Sequence, residues 1–268
     1  MKTKYLTYLK TFSLALSLGL AASATLPGSI RPAATAPTSG GSDRHETLVA
    51  LGFKVPGVRA SRRRTGGISR GTSECAGETI SVTPVLPKVN QSELPDDRIE
   101  VESTVNSNPT FFVHVSETPV KEAEFALETE AGETLYEEQI TLSGQPGIIG
   151  ITLPEGQSLE TDTAYHWFFA VICDVKDRSA DVFVDGWVKR VEPDAALSER
   201  LDAAEERELP EVYAQAGIWT DTLSELAELR ATHPQEAKFE QDWKTLLESV
   251  GLDNIADEPL LSESTKVE

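Results

Sequence analysis

The sequence predicts a mainly β protein, an immunoglobulin-like β-sandwich with one disulfide and a C-terminal helical segment packed on it. Short apolar stretches separated by turn residues recur between residues 79 and 191, a spacing typical of a sandwich. After Pro193 the apolar residues change to helical spacing. We therefore expect a sandwich domain over residues 49–191, helices over 192–258 and a disordered tail over 259–268.

The N-terminus predicts a cleavable secretory signal over residues 1–24. Its start is basic, an apolar run covers residues 12–22, and small residues precede a predicted cleavage site after Ala24. The apolar run is shorter than the about 20 residues that a membrane-spanning helix needs. We expect a periplasmic or extracellular mature protein with no stable membrane insertion after the signal is cleaved.

The chain is strongly acidic, with a formal net charge of -20 that becomes more negative once the lysines of the signal are removed. Such a surface repels phosphate backbones and anionic lipids, so nucleic acid is excluded as a partner. The same acidity is the ordinary composition of a soluble protein.

The two cysteines, Cys75 and Cys173, both lie beyond the signal. Paired thiols normally oxidise in exported proteins, so they predict one disulfide that closes a long loop. A redox-active pair is disfavoured because the Cys-x-x-Cys spacing is missing.

The first elements after the signal are a flexible linker and an edge strand. Residues 25–48 form the linker, because they are rich in Pro, Ala, Thr, Ser and Gly. Apolar residues then alternate over 49–55, which predicts the edge strand. The further predicted strands are 79–86, 99–103, 110–116, 123–129, 134–142, 147–153, 164–174 and 180–191.

The stretch 164–174 is apolar on both faces. One face suits the sandwich core, and we expect the C-terminal helices to cover the other. Those helices are predicted after Pro193, from Pro210 to Gly217, over residues 222–232 with Asp221 as the cap, and from Pro234 to Gly251.

No catalytic residue, metal ligand or cofactor is predicted. His45 lacks the second histidine of a zinc protease motif, His233 precedes a proline, and His114 and His166 fall on strands where packing is expected. A zinc site from His114 and His166 would require neighbouring strands. Motifs for nucleotide binding and for a serine nucleophile elbow are also missing.

Two charged clusters are candidate binding sites. Four arginines, Arg62, Arg63, Arg64 and Arg70, form with Arg59 the one concentration of positive charge and could bind an anion, or could pair with the protein's own carboxylates. The acidic residues around one turn, Asp174, Asp177, Asp181 and Asp185, could bind a hard cation or form a solvated turn.

Several short motifs occur in an order that resembles a known family. They are Arg63-Arg64-Thr65-Gly66-Gly67, Arg70-Gly71, Cys75, Asn108-Pro109-Thr110-Phe111, Tyr165-His166-Trp167-Phe168, Cys173-Asp174, Asp177-Arg178-Ser179, Gly186-Trp187, Gly217-Ile218-Trp219-Thr220-Asp221-Thr222-Leu223 and Trp243. Together they resemble an uncharacterised family of exported cyanobacterial proteins, the domain-of-unknown-function family numbered 928, over residues 49–260. The resemblance implies a location outside the cytoplasm and a photosynthetic bacterial source, and it supplies no activity or catalytic residue.

The leading hypothesis is a non-enzymatic module that binds a protein or a polysaccharide of the cell envelope. The alternative is a carbohydrate-active or other hydrolase that uses acidic residues on strand loops, since paired carboxylates leave no sequence motif. A third hypothesis is that the helix pair recruits a partner in its groove.

Overall fold

The computed structural model describes Leu51, Phe53, residues 71–88 and residues 101–261, all within one compact unit, Leu48–Glu268. The strands of this described part are β1 (Thr72–Cys75), β2 (Glu78–Pro84), β3 (Glu102–Thr104), β4 (Thr110–Val115), β5 (Glu122–Thr129), β6 (Thr134–Thr141), β7 (Gly147–Thr152), β8 (Ala164–Val171), β9 (Val182–Arg190) and β10 (Leu260–Leu261). The helices are α1 (Ala195–Ala203), α2 (Leu209–Ala216), α3 (Trp219–Thr232) and α4 (Ala237–Ser249).

The strands form two sheets. The first sheet has the order β1-β2-β4-β7-β10 and the second has the order β3-β9-β8-β5-β6. Neighbouring strands are antiparallel except β10 on β7 and β3 on β9, which are parallel. The prediction of a mainly β fold with C-terminal helices is confirmed.

One apolar core is shared by both sheets. Val113 of the first sheet and Phe125, Trp167 and Phe169 of the second belong to the same buried cluster and are at most 2% exposed. Alternate residues of each strand point to this core, as the period of two in the sequence predicts. The two sheets therefore pack face to face.

The disulfide between Cys75 and Cys173 is confirmed, with 5.3 Å between the two Cα atoms. Cys75 ends β1 of the first sheet, and Cys173 follows β8 of the second. The bridge therefore ties the two sheets together at one end of the shared core.

Gly186 in β9 is required by the core. A Cβ atom at this position would lie 2.6 Å from the indole of Trp167, closer than real Cβ contacts. Trp167 is directly opposite Gly186 in the β8–β9 ladder, so the bare backbone of β9 makes room for the indole.

The strand predictions are accurate in the interior and fail at the ends. Each of the eight predicted stretches between residues 79 and 191 overlaps one observed strand. β1 was not predicted, because its four residues show no apolar alternation. Leu260 and Leu261 form β10, whereas the predicted tail begins at residue 259. Leu51 and Phe53, inside the predicted edge strand, belong to no strand, and the other residues of that strand lie outside the described part.

The helices do not cover the outer face of β8, and that expectation is wrong. The apolar side chains of α3 and α4 pack against Phe112 and Ile148 of the first sheet, and together they form a second buried cluster. These two side chains stand on the face of β4 and β7 that points away from the shared core. The sequence Thr-Phe-Phe-Val-His-Val of β4 is apolar on both faces, as β8 is, so apolar alternation alone does not decide between the two sheets.

The helix termini follow the predicted signals with two corrections. Gly217 ends α2 in the left-handed conformation, as predicted, with φ 72°. α3 begins at Trp219, so Asp221 lies in its first turn and is not its cap. α4 begins at Ala237, three residues after the predicted Pro234. No helix among the described residues has the length and apolarity that crossing a membrane requires.

Candidate functional site

An open cleft of about 850 Å³ lies between the outer face of the first sheet and the C-terminal half of α3. Its sheet side is formed by β4, β7 and the turn before β4, and its helix side by α3, the turn after α3 and α4. The chain segment that leads into β10 forms a further wall. The lining residues are Asn106, Asn108, Thr110, Phe112, Gly150, Thr152, Ser224, Glu225, Ala227, Glu228, Arg230, Ala231, His233, Pro234, Glu236, Glu240, Pro259, Leu260 and Leu261.

The sheet wall is held in place by cross-strand contacts. The hydroxyl oxygens of Thr110 and Thr152, which are opposite each other in the ladder, are 2.9 Å apart. Phe112 is opposite Gly150, and a Cβ at Gly150 would lie only 3.1 Å from its ring. The glycine therefore leaves space beside the ring of Phe112.

The turn before β4 is held by its own side chains. The Asn106 side-chain oxygen accepts a hydrogen bond from the Asn108 N–H at 2.9 Å, and Asn108 donates its amide to the Pro154 carbonyl at 2.8 Å. The buried carboxylate of Asp221 in α3 accepts from the Val105 N–H at 3.3 Å. These bonds connect the helix side of the cleft to the sheet side.

Two arginines on the helix side are paired with carboxylates. Arg230 donates to Glu240 at 2.5 Å, and its guanidinium carbon lies 4.8 Å from the centroid of the Trp243 ring. Arg207 donates two hydrogen bonds to Glu236, at 2.5 and 2.8 Å. The Arg207–Glu236 pair is bidentate, whereas Arg230 makes one hydrogen bond to its carboxylate and places its guanidinium over an aromatic face.

Glu225 differs from these carboxylates because it has no ion pair among the described residues. Burial raises the pKa of Glu225 to about 7, and the negative charges of Glu228, Asp221 and Glu206 raise it further. Burial likewise raises the pKa of Asp221 to about 6, although hydrogen bonds from Thr104 and Val105 oppose this. The cleft therefore holds a carboxyl group that keeps its proton to a higher pH than an exposed glutamate does.

Replacing Glu225 with glutamine should stabilise the protein at alkaline pH. In the unfolded chain this carboxyl loses its proton near pH 4.5, whereas in the fold it holds the proton until about pH 7. The fold therefore binds more protons between these values, and its stability falls as the pH rises through them. After discounting for solvent screening, we expect Glu225→Gln to raise the Tm by about 2 to 4 °C at pH 8.

The check is the Tm of both proteins from pH 4 to pH 8, with Glu199→Gln on the exposed side of α1 as the control. The two curves should converge toward pH 4, where Glu225 is mostly protonated in the folded and the unfolded chain. A constant gap at every pH would show that the substitution acts through packing.

The side chains of His114 and His166 do not lie close together. His114 lies on β4 of the first sheet and His166 on β8 of the second, so a joint zinc site is excluded. His166 Nε2 is 2.7 Å from an Asp185 carboxylate oxygen, and its ring stacks on Trp187 with 4.4 Å between centroids. Among the described residues no group of three histidines, cysteines or acids could hold a metal ion.

The carboxylates of the acidic turn after β8 accept hydrogen bonds from donors close to them in the same turn. The side chains turn toward nearby donors, which leaves no convergence of free oxygens of the kind that a hard cation requires. Asp174 accepts from the Lys176 N–H, Asp177 from the Ser179 N–H and hydroxyl, and Asp181 from the Cys173 N–H and from Arg178.

The predicted anion-binding arginines, Arg62, Arg63, Arg64 and Arg70, lie outside the described residues, as do Arg59 and His45. The cleft residues themselves were not predicted. The one signal for them in the sequence is the spacing of Asp221, Glu225 and Glu228, which places three acids on one face of a helix.

Comparison with known families decides what this chain is related to. The family described as Domain of Unknown Function (DUF928) matches residues 65–260. The chain belongs to the DUF928 family. The match ends at Leu260, so the DUF928 region contains every described strand from β1 to β9, all four helices and most of the cleft.

The DUF928 chain has no match among curated proteins. Among solved structures it is similar to a crystal structure of an engineered protein from the Northeast Structural Genomics Consortium, with 14% identity and a TM-score of 0.28. That match covers 42% of this chain and only 20% of the engineered chain.

Proposed function

We propose that this DUF928 protein is an exported, non-enzymatic binding module of the cell envelope, and that its cleft holds an extended segment of a partner protein. The observation that carries the proposal is the open cleft of about 850 Å³ between two walls that are tied together by hydrogen bonds. A concave site of this size, lined by both apolar and polar side chains, is a usual form of a binding site.

The sheet side of the cleft favours a peptide over a polysaccharide as the ligand. β7 has six residues, but β10 pairs with only Ile148 and Ile149 of it. Within the described residues, the rest of this edge of β7 has no neighbouring strand, and Gly150 and Thr152 line the cleft there. An extended peptide can add to such an edge through main-chain hydrogen bonds.

The proposal also includes the location of the protein and the arrangement of its two sheets. The basic and apolar start of the chain supports a signal over residues 1–24, followed by a linker that spaces the domain from its N-terminus. The inter-sheet disulfide is typical of an oxidising compartment. We propose a periplasmic or extracellular location, a cyanobacterial source and an immunoglobulin-like arrangement of the two sheets.

The test is capture of a partner by the full mature chain after crosslinking in its own cells. Ala231 is exposed and lines the cleft, so Ala231→Trp should fill the cleft and reduce the captured partner at least about tenfold. Ala203→Trp places the same indole on an exposed helix position that does not line the cleft, and it should capture normally. Equal capture by both variants would remove the cleft from the proposal, and capture of a polysaccharide would replace the peptide.

A hydrolase that cleaves glycosidic bonds is the second candidate, and Glu225 is the observation that favours it. A carboxyl group with a pKa raised to about 7 can donate a proton at neutral pH, and Glu228 supplies a second carboxylate in the same cleft. This candidate predicts turnover of an oligosaccharide that Glu225→Gln abolishes. The binding module predicts no turnover by either protein.

A further inference from the structure

His114 is the least satisfied polar side chain on the outer face of the first sheet. It is 8% exposed, and neither ring nitrogen has a hydrogen-bond partner among the described residues. A neutral imidazole has one donor and one acceptor, and leaving both unpaired in a buried place is costly. A buried polar group of this kind in a native fold requires a structural explanation.

The segment of residues 258–261, which we call the C-terminal latch, lies next to this histidine. Glu258 places a carboxylate oxygen 3.9 Å from His114 Nε2. The neighbours of His114 in the sheet are Thr83 of β2 and Ile148 of β7, which carry no charge. Among the described residues, Glu258 supplies the one charge that affects the pKa of His114.

The latch is seated tightly on β7. The Ile148 N–H donates to the Pro259 carbonyl at 2.8 Å, and Leu260 and Leu261 continue the contact as β10. A Cβ at Gly147 would lie 2.6 Å from the Leu261 side chain and 2.8 Å from the Pro259 carbonyl, so the backbone of β7 is in close contact with the latch. Because Pro259, Leu260 and Leu261 line the cleft, the position of the latch sets the width of the cleft.

We propose that the C-terminal latch is released by acid: when His114 takes up a proton from solvent, residues 258–261 leave β7 and the cleft widens. The buried imidazolium would lack water, and Glu258, beyond hydrogen-bond distance, compensates only in part. Movement of the latch, which places Glu258 beside the ring, would allow water to reach the charged ring. The proposal concerns the fold alone and does not depend on which ligand the cleft takes.

The direction of the effect follows from proton linkage. Burial lowers the pKa of His114 below 6.5 while the latch is closed, and Glu258 opposes this shift only in part. With the latch open, the ring is hydrated and its pKa is near 6.5. The open form therefore binds the proton more strongly, so the closed form loses stability as the pH falls below about 6.5.

Hydrogen exchange of the Ile148 amide tests the latch directly in the full chain. After correction for intrinsic exchange rates, the protection of the Ile148 amide at pH 5.0 should be several-fold lower than at pH 7.5. The protection can fall up to tenfold for each pH unit that separates the pKa of His114 in the closed form from its pKa in the open form. The Leu153 amide, which is bonded to the Pro109 carbonyl at the other end of β7, is the internal control. The protection of the Leu153 amide should not fall in acid. Asp221 and Glu225 have raised pKa values in the fold, so proton uptake by these two carboxyl groups makes the fold more stable at low pH.

Two variants separate the latch from general acid sensitivity. His114→Gln removes the titrating ring, so the protection of Ile148 should become independent of pH. Glu258→Gln keeps the histidine and removes the carboxylate that favours its charged form, so the fall in protection should become larger. Unchanged protection of Ile148 between the two pH values, or a fall that survives in His114→Gln, would overturn the proposal.

Discussion

Reducing the disulfide between Cys75 and Cys173 should lower the free energy of unfolding by about 4 to 5 kcal/mol. The bridge joins residues that are 98 positions apart, so its loss frees a long loop in the unfolded chain. On the chain-entropy model, the stabilisation grows with the length of the closed loop. A loss of this size is a large fraction of the stability of a typical domain.

Guanidinium unfolding with and without reductant, followed by tryptophan fluorescence, measures this loss. The double variant Cys75→Ala with Cys173→Ala is the control for side effects of the reductant, and its unfolding midpoint should match that of the reduced protein. Intact-mass measurement after alkylation, without reductant, should find no free thiol in the oxidised protein. Coincident midpoints for the oxidised and reduced proteins would contradict the entropic role assigned to the bridge.

Replacing Trp219 with alanine should cost about 3 to 5 kcal/mol and loosen the helices from the first sheet. Its indole N–H donates to the Val85 carbonyl at 2.8 Å, and the ring makes an edge contact with Phe53 at 4.8 Å between centroids. The side chain is 1% exposed. Its removal would therefore leave a large cavity and an unpaired carbonyl at the junction between helix and sheet.

The Trp219→Phe variant separates these two contributions. It keeps an aromatic ring but loses the hydrogen bond, so about 1 to 3 kcal/mol should be lost. Val175→Ala, at a position that is 67% exposed, is the surface control and should stay within about 0.5 kcal/mol of the parent protein. Urea unfolding of the three variants gives these values. Equal stability of Trp219→Ala and the parent would mean that the helices contribute little to the fold.

The architecture could be predicted from the sequence wherever a local pattern determines it. Apolar alternation located the interior of β2 to β9, and Gly217 marked the end of α2, because left-handed backbone favours glycine. The disulfide was predicted from the presence of two cysteines after the predicted signal. Each of these inferences needs only a short stretch of chain or a count of residues.

The placement of the helices and the cleft could not be predicted in the same way. β4 and β8 are both apolar on two faces, so their composition does not show which sheet the helices cover. The sequence favoured β8, whose outer face instead carries the His166 contact with Asp185 and Trp187. The cleft depends on residues from β4, β7, α3 and the last strand, which no single segment brings together.

Because β10 follows all four helices in the sequence, its position affects the order in which the fold can form during synthesis. β7 receives its last neighbour from Leu260 and Leu261, after all four helices in the chain. A growing chain that has reached only β9 would present Phe112 and Ile148 on a bare sheet face. Such a chain would attract chaperones or proteases until the helices, and then residues 260 and 261, have been synthesised and packed on the first sheet.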